Sequence, residues 1–199
     1  MKEQVQLDVS GLPLHGRNEA SPTCWGTAAF MLIEGSAFAV SIAIYLYLLS
    51  IAPSWPLAAA PPDLGPGTVV TVILVLSLVP NWLVGRWAKQ DALRKVQLGT
   101  IVMCLFGVAP LVVRVYEFAA LNVWWDSNAY GSIVWLLLGL HSTHLITDLA
   151  DTVVLAALLF TRHAGRRRLG DVEDNVLYWN FVVLTWLPIY VCIYWIPRL

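Results

Sequence analysis

The stretch Tyr130–Phe160, YGSIVWLLLGLHSTHLITDLADTVVLAALLF, decides the class of this chain. It contains no Lys or Arg, and its only ionisable groups besides Tyr130 are His141, His144, Asp148 and Asp151. A bilayer core takes about 20 predominantly apolar residues in a helix, and this run exceeds that. It lacks the period-2 alternation of a half-buried strand. The spacing His141-x-x-His144-x-x-x-Asp148-x-x-Asp151 fits a helix in another way. At about 100° per residue, the second, third and fourth of these groups fall at roughly −60°, −20° and −80° from the first. All four share one face, and in a membrane that face must turn away from lipid.

Four more runs of the same kind surround it. They extend from about Cys24 to Ile51, Thr68 to Gly85, Val96 to Leu121 and Asn175 to Ile196. The chain has 199 residues, of which 58% are hydrophobic and 13% charged, with 10 Trp, 7 Tyr and 6 Phe. A soluble domain averages roughly 45–50% apolar and about 25% charged residues. The composition excludes a disordered chain, a coiled coil and a disulfide-stapled secreted domain. A net charge of −1 supplies no global field for a nucleic-acid partner. Cys24, Cys104 and Cys192 form no paired motif and read as small buried hydrophobes. The reading is an all-α, polytopic membrane bundle of five transmembrane helices spanning residues 23–199. Residues 1–22 are expected to form a short polar arm, not a signal peptide, because they hold no apolar run.

Charge gives the orientation. Lys2 and Arg17 of the arm, Arg86, Lys89, Arg94 and Lys95 of one linker, and Arg162, Arg166, Arg167 and Arg168 of another fall on one side. The opposite linkers, Pro53–Gly67 and Asn122–Ala129, carry no Lys or Arg. The positive-inside rule then predicts a cytoplasmic N-terminus and an external C-terminus. Trp55, Trp124, Trp125 and Trp195 are expected near the outer interface, and Trp25, Trp82 and Trp87 near the inner one. The run Arg166-Arg167-Arg168 could meet anionic lipid head groups, but the positive-inside rule accounts for it as a topology determinant.

Ionisable groups within spans cost about 2.5–3.5 kcal/mol each at the bilayer centre on insertion scales. Here they are Glu34, Arg114, Glu117, His141, His144, Asp148 and Asp151. Arg114 and Glu117, three apart, predict a local ion pair. Glu34 lies about 14 Å from the inner end of its span and Asp151 about 16 Å from the inner end of its own, so they share a depth. Carboxyl groups crowded in a dry bundle cannot all be ionised, so protons or water must enter. His141, His144 and Asp148 are therefore expected to face the helix carrying Glu34. This is what a proton-handling site requires; a protonated structural carboxyl looks the same. Binding of a transition metal to the His/Asp stripe is the alternative. An interior hydrogen-bond network without metal is preferred, because bundle metal sites draw ligands from facing helices.

Four motifs in order carry a family resemblance. The first span reads WGTAAFMLIEGSAFAVSIAIYLYL from Trp25, with Glu34 as its single carboxylate. The third span and its exit read RVYEFAALNVWWDSNAYGS, with Glu117, Asp126, Tyr130 and Gly131. The fourth reads LLLGLHSTHLITD, with His141 and His144. The fifth reads VEDNVLYWNFVVLTWLPIYVCIYW, with Tyr178, Trp179, Phe181, Val182, Trp186 and Tyr194. Together they resemble subunit III of the haem–copper oxidases, in a divergent five-span form. Asn180, Val183 and Asp148 stand where the family pattern has His, Asp and Gly. The resemblance implies an accessory subunit without haem or copper of its own. Haem and copper would belong to a partner catalytic subunit I, with subunit II also present and phospholipid as a further ligand. The subunit would support stability in turnover and proton uptake in aerobic electron transport, in a membrane expected to be the bacterial plasma membrane. A subunit III-like protein of nitric oxide reductase and a free-standing metal- or proton-handling membrane protein remain as alternatives.

Overall fold

The computed structural model describes residues 22–161 and 166–199. Residues 1–21 of the N-terminal arm lie outside the described residues, and so do Arg162 and His163, whereas Pro22 opens the first helix. Five helices follow in chain order: α1 Pro22–Ile51, α2 Leu64–Lys89, α3 Leu93–Ala119, α4 Ala129–Leu159 and α5 Arg166–Tyr190. A π-helical turn, Val191–Trp195, and a 3-10 turn, Ile196–Arg198, extend the last helix. All five helices are long and apolar enough to cross a membrane, as the hydropathy pattern predicts.

The helices outrun the apolar stretches. The connection between α2 and α3 is only residues 90–92, not the whole charged linker from Arg86 to Lys95. Arg, Lys, Ala and Leu are good helix formers, and long basic side chains reach the interface along their stems. Arg86 uses this freedom to lie over the Trp82 ring, 5.5 Å from its centroid. Similarly α5 begins at Arg166, well before Asn175. Charge ends the apolar run in each case without ending the helix.

The most extensive pairing is the α2–α3 hairpin, followed by α2 with α5 and α3 with α4. The first helix packs chiefly on α4 and α5. Antiparallel succession puts the start of α1, residues 90–92 and the start of α5 at one end, hereafter the basic end. Residues 52–63, residues 120–128 and the C-terminus lie at the other.

The core centres on α4 and α5, with Trp179, Trp186, Tyr130 and Tyr194 fully buried. Buried Trp needs an acceptor for its N–H. Trp179 Nε1 donates to Ser77 Oγ at 2.7 Å and Trp186 Nε1 to Thr71 Oγ1 at 2.8 Å, both on α2. The π turn follows Pro188, whose missing N–H interrupts the helical ladder. Freed backbone groups in a span must find partners within the protein; the Cys192 carbonyl accepts from Tyr45 of α1.

At the end opposite the basic one, the proline-rich segment folds inward. Trp55 fits between Tyr45 and Tyr130, with ring centroids 5.2 and 4.9 Å away and nearly perpendicular. Arg198 donates to the Pro62 carbonyl, and Asn128 Nδ2 to the Leu57 carbonyl at 2.9 Å. Asn128 also caps α4, its Oδ1 accepting from Gly131 N at 2.8 Å. A Cβ at Gly131 would meet the Trp124 carbonyl oxygen at 2.2 Å. That is why a glycine follows Tyr130 in this motif: backbone cannot retreat as a side chain can.

Candidate functional site

Two buried polar clusters occupy the bundle at different depths. The first lies toward the basic end, where α1, α4 and α5 meet. Glu34 Oε1 is 3.2 Å from His144 Nε2, and Glu34 Oε2 accepts from the Tyr178 hydroxyl at 2.8 Å. His144 Nδ1 lies 2.7 Å from the Leu140 carbonyl. A carbonyl only accepts, so Nδ1 carries a hydrogen. The Nε2···Oε1 contact then needs one proton, on either the imidazole or the carboxyl. Tyr178 holds the other carboxyl oxygen in place.

One helical turn along α4, Asp148 is 1% exposed. Neither of its oxygens has a hydrogen-bond partner among the described residues. Asp151 is exposed and accepts from Asn175 Nδ2 at 3.2 Å. A cavity of about 590 Å³ joins Glu34, His144, Asp148 and Asp151 to Asp171 and Asp174 at the start of α5. Arg168, bonded to Asp171 at 3.0 Å, stands in the same wall. Four of the five residues expected to handle protons therefore line one cavity.

His141 is the exception. It does not line the cavity with Glu34, although its ring lies 6.3 Å from that of Phe38 on the helix that carries Glu34. It lies one turn nearer the opposite end, and Arg114 of α3 claims it: Nη2 is 3.0 Å from His141 Nδ1. Arginine only donates, so Nδ1 accepts and Nε2 carries the hydrogen, directed at the Val182 carbonyl 3.0 Å away. The imidazole is held neutral in one tautomer. Arg114 Nη1 also bonds Glu117 Oε2 at 2.7 Å, and Tyr194 donates to Glu117 Oε1 at 2.6 Å. The guanidinium carbon lies 4.3 Å above the Trp186 ring. The ion pair expected from the spacing is present, but it is the centre of a network joining α3, α4 and α5. Phe38 of α1 lies between the clusters, its ring 4.8 Å from His144 and 6.3 Å from His141.

The other motif residues divide by role in the fold. Tyr130, Gly131, Trp179 and Trp186 are packing and hydrogen-bonding residues, whereas Trp25 is 70% exposed at the end of α1. Asp126 is exposed, and the cap of α4 is Asn128. Sequence reasoning missed the amide pair Asn81–Asn180, whose Nδ2···Oδ1 distance is 2.9 Å, with Asn81 also donating to the Val176 carbonyl at 3.0 Å. The signal was a lone uncharged amide in the second span. Val183, where the family pattern has Asp, is simply buried. Among the described residues no group of three or more His, Cys, Asp or Glu is placed to hold a metal ion.

Residues 23–197 match the family model described as cytochrome c oxidase subunit III. The chain is 26% identical over 180 residues to cytochrome c oxidase subunit 3 of Synechocystis sp., covering 85% of this chain and 74% of that protein. It is 25% identical over 182 residues to the Drosophila melanogaster subunit 3, covering 86% and 68%. The Paracentrotus lividus subunit 3 is 25% identical over 183 residues, covering 88% and 65%. With five membrane-length helices, the motif residues Glu117, Tyr130, Trp179 and Trp186 buried in their core and a match along nearly the whole described chain, this protein belongs to the cytochrome c oxidase subunit III family.

Proposed function

We propose that the chain is an accessory subunit of a haem–copper oxidase, packed beside the catalytic subunits I and II and holding no redox centre itself. Residues 23–199 form the working membrane domain, preceded by the arm at residues 1–22. The basic end faces the cytoplasm, in a bacterial plasma membrane, and proton uptake from that side passes the Glu34–His144 pair. The observation that carries the reading is the 3.2 Å contact between Glu34 and His144, set at the head of a carboxyl-lined cavity reaching the basic end. A free-standing carrier would need a continuous polar route through the bundle. Phe38 between the two clusters argues against one.

The test uses the parent complex. Glu34→Ala should leave its assembly and haem spectra intact and lower sustained oxygen consumption by a factor of a few. That is less than the tenfold that about 1.4 kcal/mol on a barrier would give. Deleting the chain should produce a larger loss of the same kind. Indifference of the complex to both changes, or a haem Soret band in the isolated chain, sinks the proposal.

Orientation is tested separately. Reporter fusions at Lys95 and at Leu199 should report opposite sides of the membrane. Equal signals would contradict the cytoplasmic placement of the basic end.

A further inference from the structure

Asp148 is a carboxyl that neither cluster accounts for. It is 1% exposed, both of its oxygens lack a partner among the described residues, and it lines the cavity between α1, α4 and α5. The same cavity takes in Asp174, whose Oδ2 is likewise buried and unpartnered. Among the described residues, the basic groups in its wall are engaged elsewhere: Arg168 with Asp171 and His144 with Glu34. Buried acceptors without donors cost free energy, more so when charged. Among the described residues the cavity therefore presents a surplus of carboxyl groups and a shortage of N–H or O–H donors.

Those two needs define a ligand. A bare metal ion is a poor fit, because among the described residues no three ligating groups converge. A quaternary ammonium brings charge without donors. A primary ammonium brings one positive charge and three N–H donors. At about 590 Å³ the space exceeds an ammonium alone, and Phe30, Val154, Leu155 and Leu158 supply apolar wall for an attached stem. We propose that this cavity binds a primary ammonium group, with Asp148 as its principal acceptor. The group arrives either on an aminophospholipid head group or on a soluble amine.

Phosphatidylethanolamine and phosphatidylcholine separate the chemistry cleanly, since N-methylation removes the donors and keeps the charge. The full chain is reconstituted in nanodiscs containing both lipids in equal amounts, and lipids retained on detergent release are counted by native mass spectrometry. Retained phosphatidylethanolamine should exceed phosphatidylcholine by about tenfold, a difference of about 1.4 kcal/mol. The excess should vanish in Asp148→Asn and persist in Asp148→Glu. In discs of phosphatidylcholine alone, a rise in thermal midpoint with ethanolamine but not choline, absent in Asp148→Asn, assigns the group to a soluble amine. Lipid enrichment without that rise assigns it to the head group. Parity of the two lipids in the wild-type chain together with no ethanolamine effect overturns the proposal, as does enrichment that survives Asp148→Asn. None of these readouts requires oxidase turnover, so they stand or fall apart from the accessory role.

Discussion

Truncating Glu117 to alanine should destabilise the folded bundle by about 3–5 kcal/mol, the range for breaking a buried ion pair from one side. Glu117 is fully buried, and Arg114 is 2% exposed. Without the carboxylate, the guanidinium keeps only the His141 nitrogen and the Trp186 face. Arg114 Nε already lacks a partner, and Tyr194 would lose its acceptor. The expected result is a large fall in the thermal midpoint, read by a thiol-reactive dye as unfolding exposes the buried Cys192. The double replacement Arg114→Met with Glu117→Leu should recover most of the loss, because removing both charges removes the desolvation penalty as well. An unchanged midpoint in Glu117→Ala would show that the network is not what joins α3 to α5.

Trp186→Ala should cost a similar amount, about 3–5 kcal/mol for a large-to-small core change. The ring is fully buried, lies under Arg114 and sits 4.9 Å from His141 by ring centroid. Its loss leaves a cavity and strips the guanidinium of its aromatic face. Trp186→Phe separates the contributions. It keeps an aromatic face but removes the N–H that Thr71 Oγ1 accepts, a loss of about 1 kcal/mol for one hydrogen bond. Thermal midpoints should fall in the order wild type, Trp186→Phe, Trp186→Ala. Coincident midpoints for the two variants would mean that the hydrogen bond, and not burial of the ring, holds α5 against α2.

Much of this was legible in the order of residues. Span number follows from apolar run length, because lipid forces each crossing segment to satisfy its own backbone. The Arg114–Glu117 pair follows from a spacing of three on one helix. Family membership follows from four motifs in sequence. Helix ends were less legible: Arg86 and Lys89 end an apolar run but continue a helix, and Arg166 opens a helix well ahead of its apolar run. The pairing of Asn81 with Asn180 was not legible, although each is a polar residue in an apolar span, because nothing near either residue names the other.

Sequence alone determined which groups must avoid lipid; tertiary structure alone decided what each of them meets. The face shared by His141, His144, Asp148 and Asp151 is a local property of helix periodicity, fixed within one segment. Their separate fates are set by neighbours distant in the chain. Glu34 of α1 meets His144 and Tyr178 of α5 holds that carboxylate, while Arg114 of α3 captures His141 and Asp148 is left with a cavity. Hydrogen bonds act over about 3 Å, and a turn of helix moves a side chain by about 5.4 Å. One turn is therefore enough to divide a single stripe between two networks, and only the packing of the helices shows where the division falls.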